Sequence, residues 1–178
     1  PGTMDHAMYG ADLLFGPEQM IRRFVTDPSF DQLICVAIAK HSDFKLEGIE
    51  DERTLLHARL IRDADKLDNC RVKLEESMET LLDMDEKIVG ASPISPKVWE
   101  SCKAEESVLS ADRKTGMDYW MSYLALYFDI NFPETYQIIK EQDYIRRIAE
   151  RVPYSREDTK EKVAYTVKKL EEKMNIQP

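Results

Sequence analysis

Helical spacing of apolar residues is the feature that most constrains the fold of this chain. Two segments show it best, residues 52–73 and residues 155–174, where a spacing of three or four places the apolar side chains on one helical face. These stripes are Leu56, Leu60, Ala64 and Leu67 in the first segment and Val163, Val167, Leu170 and Met174 in the second. Strand-like alternation is scarce and the chain has only six glycines. The sequence therefore predicts an all-α fold in which both stripes face the core.

Start signals divide the chain into nine predicted helices. Ser29 with Gln32 fits a capping box, and Ser95 precedes a proline suited to a first helical turn. Ser155 precedes acidic residues that suit the positive end of a helix dipole. The predicted helices lie at about 5–15, 18–26, 30–42, 52–73, 75–88, 96–109, 116–129, 133–149 and 155–174.

The length of 178 residues predicts one domain. We expect residues 89–94 to form a loop between its N-terminal and C-terminal halves. Residues 117–128 are dense in large apolar side chains, which favours a central core helix. The alternative is an aromatic wall that receives a nucleobase or a dimer partner, so a homodimer stays open.

Charge and cysteine usage exclude several classes of protein. The chain has 25 basic and 34 acidic residues and a formal net charge of -9, which argues against a nucleic acid polymer as partner but allows a small phosphorylated ligand. Cys35, Cys70 and Cys102 show neither a disulfide framework nor zinc-ribbon spacing, which indicates a reducing, cytoplasmic setting. The longest apolar run, residues 33–39, falls short of the roughly 20 residues of a membrane span.

The segment of residues 61–71 is the strongest candidate for a functional site. Asp65 lies between Ala64 and Leu67 on a helix predicted to bury one face, and a buried carboxylate is costly unless a cation or hydrogen-bond donors meet it. Other charged residues surround it in sequence, namely Arg62, Asp63, Lys66, Asp68 and Arg71. The alternative to a site is a solvated charged helix face.

Histidines supply the other candidate ligands. Histidine and aspartate together commonly bind divalent metals, so we ask whether His6, His41 and Asp65 meet around one ion. Taken alone, His6 near a helix start fits a cap or a surface residue, and His41 is favoured by the dipole of the helix that it ends. His57 precedes Asp65 by about two helical turns and is a weaker candidate.

Three segments together resemble the HD-superfamily metal-dependent phosphohydrolases. Residues 5–14 resemble the family segment His-x-x-x-Gly-Ala-x-Leu-Leu, and residues 36–41 resemble the helix end that carries its next histidine. Residues 61–71 resemble its closing element, Ala-Asp-(Lys/Arg)-Leu. The order and spacing agree over residues 5–71, whereas residues 75–178 match no motif of the family.

The resemblance implies an HD-domain-like helical bundle with additional C-terminal helices. It implies that Asp65 binds a divalent metal, whether Mn, Fe, Co, Ni, Zn or Mg, and that His6 and His41 bind a second metal or donate to a phosphate. Phosphate contacts are expected from Lys45, Lys66 and Arg71. The implied substrates are a phosphomonoester, a phosphodiester or a nucleotide, hydrolysed by water that the metal activates.

One departure from the family pattern keeps other functions open. The family is named for a His-Asp pair, and this sequence contains none. We therefore expect the domain to be N-terminally incomplete or its site to be degenerate. The alternative function is a non-catalytic module that senses nucleotides or binds a partner. A third is an iron oxygenase, since two histidines and one carboxylate are the composition of a facial triad.

Overall fold

Helices form the regular structure of this protein. The structure is a computed structural model that describes residues 5–176 and the side chains of residues 5–175. The ten α-helices of this range are α1 (His6–Phe15), α2 (Asp31–Lys40), α3 (Glu52–Glu75), α4 (Met78–Leu82), α5 (Glu86–Ala91), α6 (Pro96–Lys103), α7 (Gly116–Ala125), α8 (Pro133–Glu141), α9 (Tyr144–Glu150) and α10 (Glu157–Ile176). Short 3-10 helices are Met20–Arg23, Pro28–Phe30, Ser110–Asp112 and Leu126–Phe128. With no strand in this range, the predicted all-α class is confirmed.

Left-handed residues interrupt four of the predicted helices. Each of the segments 18–26, 75–88, 96–109 and 133–149 contains one non-glycine residue with a positive φ. These residues are Gln19 at 47°, Asp83 at 54°, Glu105 at 57° and Asp143 at 51°. A left-handed residue cannot continue a right-handed helix. The predicted 133–149 helix is therefore two helices, α8 and α9, with Asp143 between them.

The predicted caps have mixed outcomes. α6 begins at Pro96 as expected, but the Ser95 hydroxyl donates to a carboxylate of α7 at 2.6 Å instead of capping its own helix. The capping box at Ser29 is wrong. Asp27 accepts a hydrogen bond from the Ser29 backbone N–H at 2.9 Å, which starts a 3-10 turn there, and α2 begins only at Asp31.

The chain divides into two compact units, one up to Asp65 and one from Lys66 onward. The boundary falls inside α3 and not at residues 89–94, where the sequence suggested a loop between two halves. Val89, Gly90 and Ile94 are instead buried within the second unit. None of the helices in residues 5–176 is both long enough and apolar enough to cross a membrane.

The second unit has its core around α7. Among the fully buried side chains of α7 and the 3-10 turn that follows are Met117, Trp120, Met121, Leu124 and Tyr127, so the prediction of a core helix at 117–128 is confirmed. The stripe of α10 also faces this core. Val163 and Leu170 are buried, and Val167 and Met174 pack against the core.

The stripe of α3 was predicted to face the core, but of its four residues only Leu67 packs against a core. Leu56 is 51% exposed and Leu60 is 55% exposed. Within the first unit, α3 buries Thr54, Ala58 and Arg62, which follow one another at intervals of four, and it also buries Asp63. α3 therefore turns a different face inward, and that face carries a cation.

Candidate functional site

Two of the predicted metal ligands lie side by side in the first unit. His6 is the first residue of α1, and His41 directly follows the last residue of α2. Their Nε2 atoms are 3.1 Å apart although the residues are 35 positions apart in sequence. The rings meet edge to face with centroids 5.0 Å apart. His6 is exposed and His41 is half-buried, so the pair is open to solvent.

The packing of α1 on α2 brings these histidines together. The two helices run antiparallel: the position that a Cβ would take on Gly10 lies 3.6 Å from Ile38 Cγ2, one turn along from the contact between His6 and His41. Asp5 fixes the start of α1, because its side chain accepts hydrogen bonds from two backbone N–H groups of the first turn at 3.0 and 3.2 Å. The start of one helix therefore meets the end of the other.

Hydrogen bonding fixes the tautomer of His41. Its Nδ1 lies 2.7 Å from the carbonyl oxygen of Ile38, and since a carbonyl can only accept, Nδ1 carries the hydrogen. In the neutral imidazole the Nε2 lone pair is then available, and it accepts a hydrogen bond from the Nε2–H of His6. Metal-binding histidines are commonly held in this way, through a hydrogen bond from the other ring nitrogen.

The separation of the two imidazole nitrogens fits one cation. With bonds of about 2.1 Å, nitrogens 3.1 Å apart subtend about 95° at the ion. This angle is close to that between neighbouring ligands of an octahedral ion. Imidazole donors suit Fe, Co, Ni and Zn better than Mg or Mn, which prefer oxygen. The pair therefore fits as two ligands of a transition metal.

The predicted carboxylate ligand lies on α3. The Asp65 side chain is exposed, and the buried acid of this segment is its neighbour Asp63, which is 1% exposed. Within residues 5–175, no three or more His, Cys, Asp or Glu side chains form a group that could hold a metal. The described residues thus supply a pair of nitrogen donors, and the role of Asp65 stays a prediction.

The predicted phosphate contacts lie in different settings. Lys45 is exposed in the segment after α2. Lys66 is buried, and its ammonium lies 2.8 Å from the Asp129 carboxylate. Arg71 is exposed on α3 between two carboxylates of the same helix, at 3.1 and 2.7 Å. A phosphate would have to compete with these carboxylates for Lys66 and Arg71, so Lys45 is the most accessible of the three.

Arg62, which the sequence marked only as a charged neighbour of Asp65, contacts the backbone of the histidine pair. Arg62 is 6% exposed and donates a hydrogen bond to the backbone carbonyl of His41 at 3.0 Å. Its position four residues after Ala58 and eight after Thr54 is a signal for a shared buried face. The apolar stripe on the same helix led us to expect a different buried face.

The cysteines are poor candidates for nucleophiles. All three are free, as expected. Burial raises the pKa of the Cys70 thiol to about 11 and that of Cys102 to about 12. Burial also raises the pKa of Cys35, with a smaller effect from the charges of Asp12 and Asp31. Only the thiolate attacks as a nucleophile, so a raised pKa disfavours that role near neutral pH.

Comparison with known proteins adds no relative: no family model matches the chain, and neither the curated proteins nor the solved structures gave a match. Fold and site together define an all-α protein with a solvent-accessible pair of imidazoles between two antiparallel helices. Any narrower assignment depends on the chemistry of that pair and on the motifs around it.

Proposed function

We propose that this chain carries part of the active site of an HD-type metal-dependent phosphohydrolase, in which His6 and His41 bind a divalent cation. The observation that carries the proposal is the 3.1 Å separation of their Nε2 atoms. A hydrogen bond between solvent-accessible groups adds little to stability, so folding alone is a weak reason to hold two imidazoles together. Cation binding is a stronger one. The motif resemblance of residues 5–71 supports the same conclusion.

The two histidines would enter this site differently. His41 already offers its Nε2 lone pair, because the Ile38 carbonyl holds its Nδ1–H. His6 donates from Nε2, so it must shift its proton to Nδ1 before it can bind a metal. The bound cation would supply a Lewis acid for a phosphoryl oxygen and activate water. Asp65 is the proposed carboxylate ligand, and a phosphomonoester, phosphodiester or nucleotide is the proposed substrate.

Metal titration tests the proposal. We expect the unaltered chain to bind Co²⁺, followed by its visible absorption, and His6→Ala or His41→Ala to weaken binding at least about tenfold, since each removes a ligand. His57→Ala is the matched control, because His57 is half-buried on α3 and does not belong to the pair. Equal Co²⁺ affinity in all four proteins would overturn the proposal.

Hydrolysis is tested separately. With Mn²⁺ or Co²⁺ present, we expect turnover of p-nitrophenyl phosphate or of bis(p-nitrophenyl) phosphate, and we expect Asp65→Ala to reduce both turnover and bound metal. Arg59→Ala, on the same helix, is the control for loss of an exposed charged side chain. Full turnover and full metal content in Asp65→Ala would remove Asp65 from the site.

A second candidate function is a non-catalytic module that senses nucleotides or binds a partner. It is motivated by the sequence, which lacks the His-Asp pair for which the family is named. Calorimetric titration with nucleoside mono- and triphosphates distinguishes the two. Nucleotide binding that needs no metal and leads to no hydrolysis would favour this module over the enzyme.

A further inference from the structure

The burial of Arg62 calls for a physical explanation. Only 6% of its surface is exposed, and burying a guanidinium costs several kcal/mol unless acceptors satisfy its N–H groups. The same face of α3 buries Thr54 and Ala58. The buried face of α3 therefore carries Arg62, whereas Leu56 and Leu60 of the same helix are exposed.

The acceptors that meet Arg62 lie at and just after the end of α2. Nη1 donates to the carbonyl oxygen of His41 at 3.0 Å and also to that of Asp43. Nη2 donates to the carbonyl oxygen of Phe44 at 2.9 Å. The His41 carbonyl lies at the C-terminal cap of α2, where carbonyls have no partner within the helix and carry its negative dipole end, and the other two lie just beyond it. A planar cation with several fixed donors matches such a set of carbonyls.

These contacts hold His41 from both sides. Its backbone carbonyl is held by Arg62, and its ring Nδ1 is held by the carbonyl of Ile38. With backbone and ring both fixed, Nε2 has one direction left, toward the Nε2 of His6 at 3.1 Å.

We infer that Arg62 is a positioning residue for His41, which sets the direction of its Nε2 lone pair toward the proposed cation. The inference rests on the proposed function. Groups that orient a metal ligand commonly change metal affinity by about 10–100-fold when they are removed. A lysine keeps the charge but presents a compact ammonium, which cannot span carbonyls of three different residues with the same geometry.

The test compares Arg62→Met and Arg62→Lys with Arg59→Met, a control that removes an exposed arginine of the same helix. The chain has three histidines, so proteins labelled with ¹⁵N-histidine give a small set of ring signals. In the metal-free protein we expect His41 to show the Nδ1–H tautomer. Arg62→Met should convert it to a mixture of tautomers, with His57 unchanged.

Metal affinity is the second readout. We expect Arg62→Met to bind Co²⁺ about tenfold or more weakly, with Arg62→Lys in between and Arg59→Met like the unaltered chain. Circular dichroism should show the same helix content in all four proteins. If Arg62→Met loses its helix signal, Arg62→Lys carries the comparison.

The outcomes separate this inference from the proposed function. If the unaltered chain binds Co²⁺ and the Arg62 variants keep its affinity and its His41 signals, the inference is overturned and the proposed function stands. If the unaltered chain binds no Co²⁺, both are overturned. Weaker Co²⁺ binding together with altered His41 signals, in a folded variant, supports the inference.

Discussion

At the scale of single residues, two buried charges, Arg62 and Asp118, are each met by several hydrogen-bond partners. Asp118 of α7 is fully buried. It accepts hydrogen bonds from the backbone and hydroxyl of Ser95, at 2.7 and 2.6 Å. It also accepts from the backbone N–H groups of Lys114 and Thr115, at 2.9 and 3.1 Å. One carboxylate thereby joins the starts of α6 and α7.

Removing this carboxylate should destabilise the second unit. We expect Asp118→Ala to lower the free energy of unfolding by about 3 kcal/mol, because four donors lose their acceptor in a buried place. Asp118→Asn should cost less, since one oxygen remains. Urea unfolding followed by circular dichroism measures both. Asp68→Ala is the control: its side chain is 64% exposed, and a cost within about 0.5 kcal/mol is expected. Equal urea midpoints for Asp118→Ala and Asp68→Ala would contradict this account.

The sequence does not indicate which acid of residues 61–71 is buried. It predicted correctly that this segment carries mixed charges on a helix, and nothing further about their burial. Asp63 is 1% exposed and Asp65 is exposed. Two residues along a helix are about 200° apart around its axis, so the choice depends on how α3 is rotated. That rotation is set by groups distant in sequence.

At the scale of elements, apolar spacing predicted the helices well, but it predicted the buried face correctly for α10 and not for most of α3. The spacing indicates which side chains share a face, but it does not say which face meets a partner. The stripe of α10 faces a core built from large side chains, as predicted. On α3, the carbonyls at the end of α2 meet a polar face through Arg62, and Leu56 and Leu60 are left exposed.

Helix ends were harder to predict than helices. The four interruptions at positive φ involve glutamine, glutamate and two aspartates, not glycine. Aspartate tolerates the left-handed region better than most residues, and glutamine and glutamate carry no such signal in the sequence. The candidate site was likewise predicted only in part. The order of the motifs suggested the pair of His6 and His41, but nothing in the sequence indicated that Arg62 donates to the His41 backbone.

Two leucine substitutions test the assignment of faces. Leu124→Ala in α7 should lower the free energy of unfolding by about 2–5 kcal/mol, because Leu124 is fully buried and its removal leaves a cavity. Leu60→Ala should cost within about 0.5 kcal/mol, since its side chain is 55% exposed. Both are measured by urea unfolding. A cost for Leu60→Ala equal to that for Leu124→Ala would mean that the predicted stripe is buried after all.

At the scale of the whole molecule, the two units differ in the side chains that they bury. The apolar residues buried in the described part of the first unit are Ala7, Ala11, Ile21, Ala37 and Ala58. The second unit buries larger side chains, among them Trp120, Tyr127, Met117 and Leu124. Because the hydrophobic contribution grows with the apolar area buried, each residue of the first unit gains less from its core.

Hydrogen exchange should reveal this difference. We expect backbone amides of α1 and α2 to exchange faster than those of α7, because segments with few large buried side chains open at lower free energy. Mass spectrometry of peptides from residues 6–40 and 116–128 measures it. Addition of Co²⁺ should slow exchange in the first peptides if His6 and His41 bind it. Equal protection in the two regions without metal would contradict the expectation.

The antiparallel register of α1 and α2 has an evolutionary consequence. His6 meets His41, and Gly10 meets Ile38, because of how the helices align and not because of how many residues connect them. Insertions or deletions in the connection between Phe15 and Asp31 could accumulate without separating the two imidazoles. A single residue inserted inside α2 would instead swing His41 through about 100°. Related sequences that keep the pair should therefore vary in the connection and hold the lengths of both helices constant.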